Sequence, residues 1–156
     1  DKSGRIIISE PAVPGGDVSV TRKLKNSGDY DVYVRVIANI KWEDNLPVKD
    51  SITVGIDNTN EWFFYPEYKV GDEQITMYRK AAVTPEQKEV AIPINKISFN
   101  PKMNNTYAGK VIELAFTVDA VQAIQGEKAQ LAQDAMLSEW GVFPVIENGV
   151  ITGIEE

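Results

Sequence analysis

The feature that most constrains the fold is an alternation of mainly apolar and mainly polar positions from Tyr30 to Trp42. One face of an extended strand over this stretch would carry Tyr30, Val32, Val34, Val36, Ala38, Ile40 and Trp42. The opposite face would carry Asp31, Tyr33, Arg35, Asn39 and Lys41. A repeat of two residues is typical of a strand with one buried and one solvated face. The stretch therefore predicts a long antiparallel β-strand.

A second stretch with the same repeat runs from about Lys110 to Ile124. Its predicted inward side chains are Ile112, Leu114, Phe116, Val118, Ala120 and Ile124, and its outward ones are Glu113, Thr117 and Asp119. Shorter apolar runs lie at 5–10, 18–26, 52–56, 61–65, 74–82 and 90–97, with Gly, Pro, Asn and Asp between them. About eight strands separated by such turns are typical of an antiparallel β-sandwich or jelly roll. The predicted fold class is therefore all-β.

The stretch from 127 to 140 does not follow the strand pattern. It is rich in Ala, Gln, Glu and Lys, with Ala129, Ala132, Met136 and Trp140 at helical spacing and Gly141 as a stop signal. We predict one short helix near residues 127–140, packed on the sandwich. The Asn148-Gly149 pair predicts a hairpin over about 143–154 that lies on the body or reaches a neighbour. With no linker and no repeat, we assign residues 1–156 to one domain.

The absence of histidine and cysteine restricts the chemistry of the chain. Without these residues there is no Ser-His-Asp triad, no thiol nucleophile and no HExxH zinc site. A chain of this length also buries enough surface to fold without a metal or a disulfide. We therefore predict that the protein is not an enzyme, and that it has no catalytic residues, no metal site and no cofactor. Carboxylate-pair catalysis, Lys-dependent chemistry and oxygen-ligated calcium are the alternatives that the composition leaves open.

The sequence argues against nucleic acid and a membrane span as interaction partners. The formal net charge is −7, and the Lys and Arg residues are scattered, so nucleic acid is not a predicted partner. No apolar run is long enough for a membrane span.

The acidic pairs Asp29 with Asp31, Glu43 with Asp44, and Asp57 with Glu61 lack the spacing of a calcium loop. We interpret them as solvated turn residues.

Two segments are candidates for contacts with other proteins. The first is a short apolar strand flanked by polar residues and Pro11, and it comprises Arg5, Ile6, Ile7, Ile8, Ser9 and Glu10. It is predicted to be an edge strand, which either pairs within its own chain or is donated to another subunit. The second is an aromatic cluster with the candidate recognition residues Trp62, Phe63, Tyr65 and Tyr68. It is interpreted either as core and edge packing or as an exposed patch that binds a glycan or a protein.

Two motifs resemble the TasA and camelysin-like family. Residues 16–36, GDVSVTRKLKNSGDYDVYVRV, resemble its opening of a turn, a strand, an N-x-G turn and a long strand. Tyr107-Ala108-Gly109-Lys110 followed by ELAFTVDAVQA at 113–123 resembles a second strand of that family, and Trp140-Gly141 follows as in its members. The resemblance covers roughly residues 14–141 in the same order.

The resemblance implies a secreted protein of Gram-positive bacteria with a jelly-roll-like sandwich, whose signal peptide was removed before Asp1. Its location would be the cell surface or the extracellular matrix of a biofilm. Such subunits form fibres with copies of themselves or with related subunits when a donor strand of one subunit completes the sheet of the next. Camelysins also carry a metalloprotease label, which does not fit a chain without histidine. The resulting hypothesis is a non-catalytic fibre subunit, and the alternative is a monomeric surface binding module or adhesin that uses the aromatic patch.

Overall fold

A computed structural model describes residues 4–87, 89–123 and 130–155. The strands are β1 (Gly4–Pro11), β2 (Asp17–Ser19), β3 (Lys23–Leu24), β4 (Val32–Trp42), β5 (Ile52–Ile56), β6 (Trp62–Phe64), β7 (Gln74–Arg79), β8 (Val90–Ala91), β9 (Ile94–Phe99), β10 (Val111–Gln122), β11 (Phe143–Glu147) and β12 (Val150–Glu155). The α-helix, α1, spans Gln130–Trp140, and two short 3-10 helices span Glu43–Asn45 and Asn105–Tyr107. Among these residues, no helix is long and apolar enough to cross a membrane.

The strands form antiparallel sheets. A main sheet has the order β1-β10-β4-β7-β6, and a second sheet has the order β2-β9-β5. The two-stranded ladder β3-β8 extends the second layer, and β11 and β12 form a hairpin of their own. The predicted all-β sandwich with one short helix is therefore confirmed.

The main core lies between the two sheets and follows from the alternation in the sequence. Val36, Ala38 and Trp42 of β4 are fully buried. They lie beside Leu114 and Phe116 of β10, because β10 pairs with β4 along its whole length. The buried residues that face them from the second layer are Ile52, Val54, Val90, Ile92, Ile94, Ile97 and Phe99.

The inward face was predicted correctly except at its ends. Tyr30 precedes β4 and is 64% exposed, so its prediction as an inward residue was wrong. The reason is a turn before the strand, in which the Asn26 side-chain amide donates to the carbonyls of Tyr30 (2.7 Å) and Val83 (2.9 Å). Val118 and Ala120 are only partly buried, and Ile124 lies outside the described residues.

The opposite face of β4 is covered in its first half, whereas Asn39 and Lys41 near its end are exposed. Tyr33, predicted to point outward into water, is 1% exposed. A second core buries it together with Tyr78, Val121, Ala132, Met136, Trp140 and Ile151. The helix and the C-terminal hairpin thus form a third layer on the outer face of the main sheet.

Two predicted strands are each interrupted. The run at 90–97 divides into β8 and β9, because Pro93 has no N–H to donate to a ladder. The run at 18–26 divides into β2, which pairs with β9, and β3, which pairs with β8. The helix begins at Gln130 in the described part of the chain, and the predicted residues 127–129 lie outside that part. The predicted hairpin is present and lies on the body, where the Ile151 N–H donates to the Lys80 carbonyl at 2.8 Å.

Candidate functional site

The candidate strand at 5–10 forms β1, at one edge of the main sheet. Its antiparallel register with β10 runs from Gly4 opposite Val118 to Pro11 opposite Val111. Ile6 and Ile8 are the register partners of Phe116 and Leu114, so these positions belong to the face of the sheet that covers the main core. The strand therefore extends both the ladder and the inner face of the sheet.

The other edge of β1 presents backbone groups away from the sheet. Beyond Pro11 the ladder continues with the Ala12 N–H donating to the Lys110 carbonyl at 2.9 Å, so the even-numbered residues of β1 bond to β10. The odd-numbered residues Arg5, Ile7 and Ser9 then direct their N–H and C=O groups outward. No strand of the described residues pairs with this edge. Such an edge is a template for pairing with another chain.

The connection from β1 to the second sheet is short. The Ala12 N–H donates to the carbonyl of Lys110, the residue before β10 of the main sheet. The Gly15 N–H donates to the carbonyl of Phe99, at the end of β9 in the second sheet (3.1 Å). The Gly16 N–H donates to the Val13 carbonyl (2.8 Å), which closes a β-turn with Pro14 and Gly15 at its centre. Gly15 has φ +77°, and this combination of proline and positive-φ glycine is typical of a type II turn.

A cavity lies at the end of the sandwich just beyond β1. It measures about 660 Å³ and its apolar lining is Leu24, Val32, Val34, Val83, Val118 and Ala120. Strand β10 continues from Asp119 to Gln122 along it, and no other described strand pairs with that part of its outer edge. Val118 and Ala120, which line the cavity, are partly buried.

The aromatic cluster is divided among different environments. Trp62 is 1% exposed, and its indole N–H donates to the Ala91 carbonyl at 3.2 Å. The Arg79 guanidinium lies 5.9 Å from the Trp62 ring. For Trp62 the structure therefore agrees with the core-packing interpretation and not with the exposed patch, because β6 directs this side chain into the main core.

The remaining aromatic candidates are partly buried. Phe63 and Tyr65 have nearly parallel rings, with centroids 6.4 Å apart, and both pack against the second core. Tyr68 packs against the main core, and its hydroxyl accepts a hydrogen bond from the Val54 N–H at 3.3 Å. Burial raises the pKa of Tyr68 above its usual value. A cleft of about 340 Å³ includes Phe63 and Tyr68 in its lining but not Tyr65.

Two of the three acidic pairs include carboxylates that bond within the chain. Glu43 accepts from the Val111 N–H at 3.1 Å, and Asp44 pairs with Lys110. The hydrogen bond to Asp44 raises the pKa of Lys110. Asp57 accepts from the Asn95 side chain at 3.2 Å. Within the described ranges, no cluster of three or more Asp or Glu residues is arranged to hold a metal ion.

Sequence reasoning missed a clamp that fixes α1 to the main sheet. Arg35 donates to the Trp140 carbonyl at 3.1 Å and to the Asp119 carboxylate at 2.9 Å, and its guanidinium lies 5.4 Å from the Trp140 ring. The signal in the sequence is an arginine on the face opposite the core, in a strand whose neighbour carries an aspartate. That pattern also fits a solvated face, so it does not by itself identify the clamp.

Comparison with known proteins does not supply a function. No family model, no curated protein and no solved structure matches this chain.

Proposed function

We propose that this protein is a non-catalytic structural subunit of an extracellular matrix or cell-surface fibre, assembled by β-strand complementation and related to the TasA and camelysin-like family. The observation that carries the proposal is the position of β1, an edge strand held in the main sheet by a single ladder to β10. The motif resemblance supports the extracellular location and the family. No cofactor is part of the proposal.

Exchange of β1 between subunits should change the free energy of the folded chains little. When β1 leaves its own β10 and pairs with the β10 of a second copy, the same ladder forms again and the same positions return to the inner face. Exchange of an identical element between copies is a low-cost route to assembly for this reason. The outer edge of β1, with which no described strand pairs, remains the edge of the sheet in both pairings, so exchange changes only the chain to which the partner β10 belongs.

A disulfide lock tests the proposal, since the chain has no cysteine of its own. Ser9 of β1 lies opposite Glu113 of β10, and this pair does not share the ladder hydrogen bonds. Such pairs bring the Cα atoms of neighbouring strands to about 4.5 Å, which suits a disulfide. The variant Ser9→Cys/Glu113→Cys, oxidised as a dilute monomer, would tie β1 to its own chain.

We expect the oxidised variant to stay monomeric in sedimentation and electron microscopy, and we expect fibres once it is reduced. The matched control is Asn39→Cys/Gln74→Cys, which joins exposed opposite positions of the inner strands β4 and β7. This control should form fibres in both redox states. Fibres from the locked monomer, or the absence of fibres from the wild-type protein at all concentrations and pH values, would refute the proposal.

A further inference from the structure

We infer that the β-turn Val13–Gly16 sets the balance between β1 pairing within its own chain and β1 pairing with a second copy. This inference rests on the proposed function, because it concerns the same strand. It adds the structural element that decides which of the two pairings forms.

The turn is confined between two fixed points. On one side, Ala12 is bonded to Lys110, and on the other, Gly15 and Gly16 are bonded to Phe99 at 3.1 and 2.9 Å. Only Val13 and Pro14 lie between them. Because the ladder of β1 is the same in both pairings, the conformation of this connection is the main local difference between a closed and an exchanged chain.

Both glycines of the turn suit the closed form specifically. Gly15 has φ +77°, a conformation that other residues adopt only with strain. A Cβ atom on Gly16 would lie 2.9 Å from Val13 Cγ1 and 3.1 Å from the Val13 carbonyl oxygen. An extended connection requires neither a positive φ at position 15 nor a residue without a Cβ atom at position 16. Substitution of either glycine should therefore destabilise the closed chain more than the exchanged one.

Pro14 fits both forms. Its fixed φ suits the second position of the turn, and it restricts Val13 to the extended region, which also suits an open connection. Short connections of this kind favour exchange, and longer ones permit closure without strain. Added strain in this turn should therefore promote assembly, whereas added length should oppose it.

The test uses two variants of the complete chain. In Gly15→Val, a β-branched residue strains the closed turn, while the space around the new Cβ is adequate, since the nearest atom is Pro101 Cβ at 3.6 Å. We expect assembly to begin at a concentration lower by roughly 5- to 150-fold. In the second variant, Gly-Ser-Gly-Ser is inserted after Pro14, and we expect the onset concentration to rise above that of the wild type.

The matched control is Gly109→Val. Gly109 has φ +75°, and a Cβ added there would have no atom within 4 Å, so the substitution introduces similar strain outside the connection. Circular dichroism establishes that each variant is folded, and sedimentation across a concentration series measures the onset. The control should lose stability without a lower onset.

The outcomes separate the two proposals. Wild-type fibres with an unchanged onset in Gly15→Val and in the lengthened variant would overturn the role of the turn and leave the fibre function standing. An equal fall in onset for Gly109→Val would also overturn it, because general destabilisation would then explain the effect. The absence of fibres from every protein, wild type included, would overturn the proposed function itself.

Discussion

Tyr68 places a hydroxyl against the exposed edge of β5. The Val54 N–H points away from β9 and donates to this hydroxyl at 3.3 Å, so one backbone donor at the edge of the second sheet is satisfied. A side chain that covers an edge in this way limits pairing with other chains. The sequence predicts Tyr68 as a recognition residue, and its contacts give it a role in edge protection.

We expect Tyr68→Phe to lower the free energy of unfolding by about 1 kcal/mol, because one hydrogen bond to a partly buried N–H is lost. Urea denaturation measures the change. Tyr30→Phe makes the same chemical change at a residue that is 64% exposed and should leave the midpoint unaltered. Equal effects of the two substitutions would contradict the assignment.

Ser51 is a buried polar residue whose hydroxyl accepts a hydrogen bond from the Trp42 indole. The Trp42 indole N–H donates to the Ser51 hydroxyl at 2.8 Å, and that hydroxyl donates to the Val48 carbonyl at 2.6 Å. Ser51→Ala leaves the indole N–H buried without this acceptor, so we expect a loss of about 1–3 kcal/mol in urea denaturation. Thr53→Ala, at an exposed position of β5, is the control. A loss no larger than the control's would contradict the prediction.

At the scale of the elements, the Arg35 clamp connects α1 to the main sheet. The guanidinium reaches the carbonyl of the last helical residue, Trp140, where helices leave acceptors unpaired. It also reaches Asp119 on the neighbouring strand β10. One side chain therefore joins two strands and the end of the helix.

Arg35→Lys keeps the charge but loses the forked geometry that serves both acceptors. We expect a loss of about 1–3 kcal/mol in stability and faster hydrogen exchange at Met136 to Trp140. Arg22→Lys, whose guanidinium bonds to the adjacent Thr21 carbonyl at the surface, should change neither. Unchanged exchange in α1 of the Arg35 variant would show that the clamp does not hold the helix.

The strands that were predicted well are those whose sequence pattern reports burial directly. Strands β4 and β10 alternate because one face covers the main core, and β5 was predicted with its observed bounds. The pattern failed where the third layer, formed by α1 and the C-terminal hairpin, covers the other face. The alternation predicts Tyr33 as an outward residue, and it is buried only because α1 and the hairpin pack over it.

The candidate site was partly predictable for the same reason. A short apolar run bounded by Pro11 predicts a strand, and β1 is that strand. Its position at the sheet edge follows from its pairing with β10, which no local pattern encodes. The aromatic cluster was interpreted either as core and edge packing or as an exposed patch, and Trp62 and Phe63 pack against different cores, on opposite faces of β6.

At the scale of the whole molecule, both cores contain tyrosines that resist ionisation. Burial raises the pKa of Tyr78 in the second core, and Arg35 partly opposes this effect. Burial also raises the pKa of Tyr107, whose hydroxyl donates to the Pro47 carbonyl at 2.6 Å, and of Tyr68. The unfolded chain therefore loses these protons at a lower pH than the folded chain does.

We expect the free energy of unfolding to fall as the pH rises above about 10, where the tyrosines of the unfolded chain ionise. Below that pH the contribution of these groups is fully present. Urea midpoints measured from about pH 8 to about pH 11.5 test this, and ultraviolet absorbance follows tyrosine ionisation in the folded protein. A midpoint that stays constant over this range would contradict the assignment.

The exchange of β1 between copies is the central claim, and a cross-link formed after assembly tests it most directly. The reduced Ser9→Cys/Glu113→Cys variant is allowed to assemble and is then oxidised and separated on a denaturing gel without reductant. If β1 pairs with the β10 of a neighbour, the two cysteines belong to different chains, and we predict a ladder of covalently linked multimers. A single monomer band from oxidised fibres would show that β1 stays in its own chain, and would contradict the account.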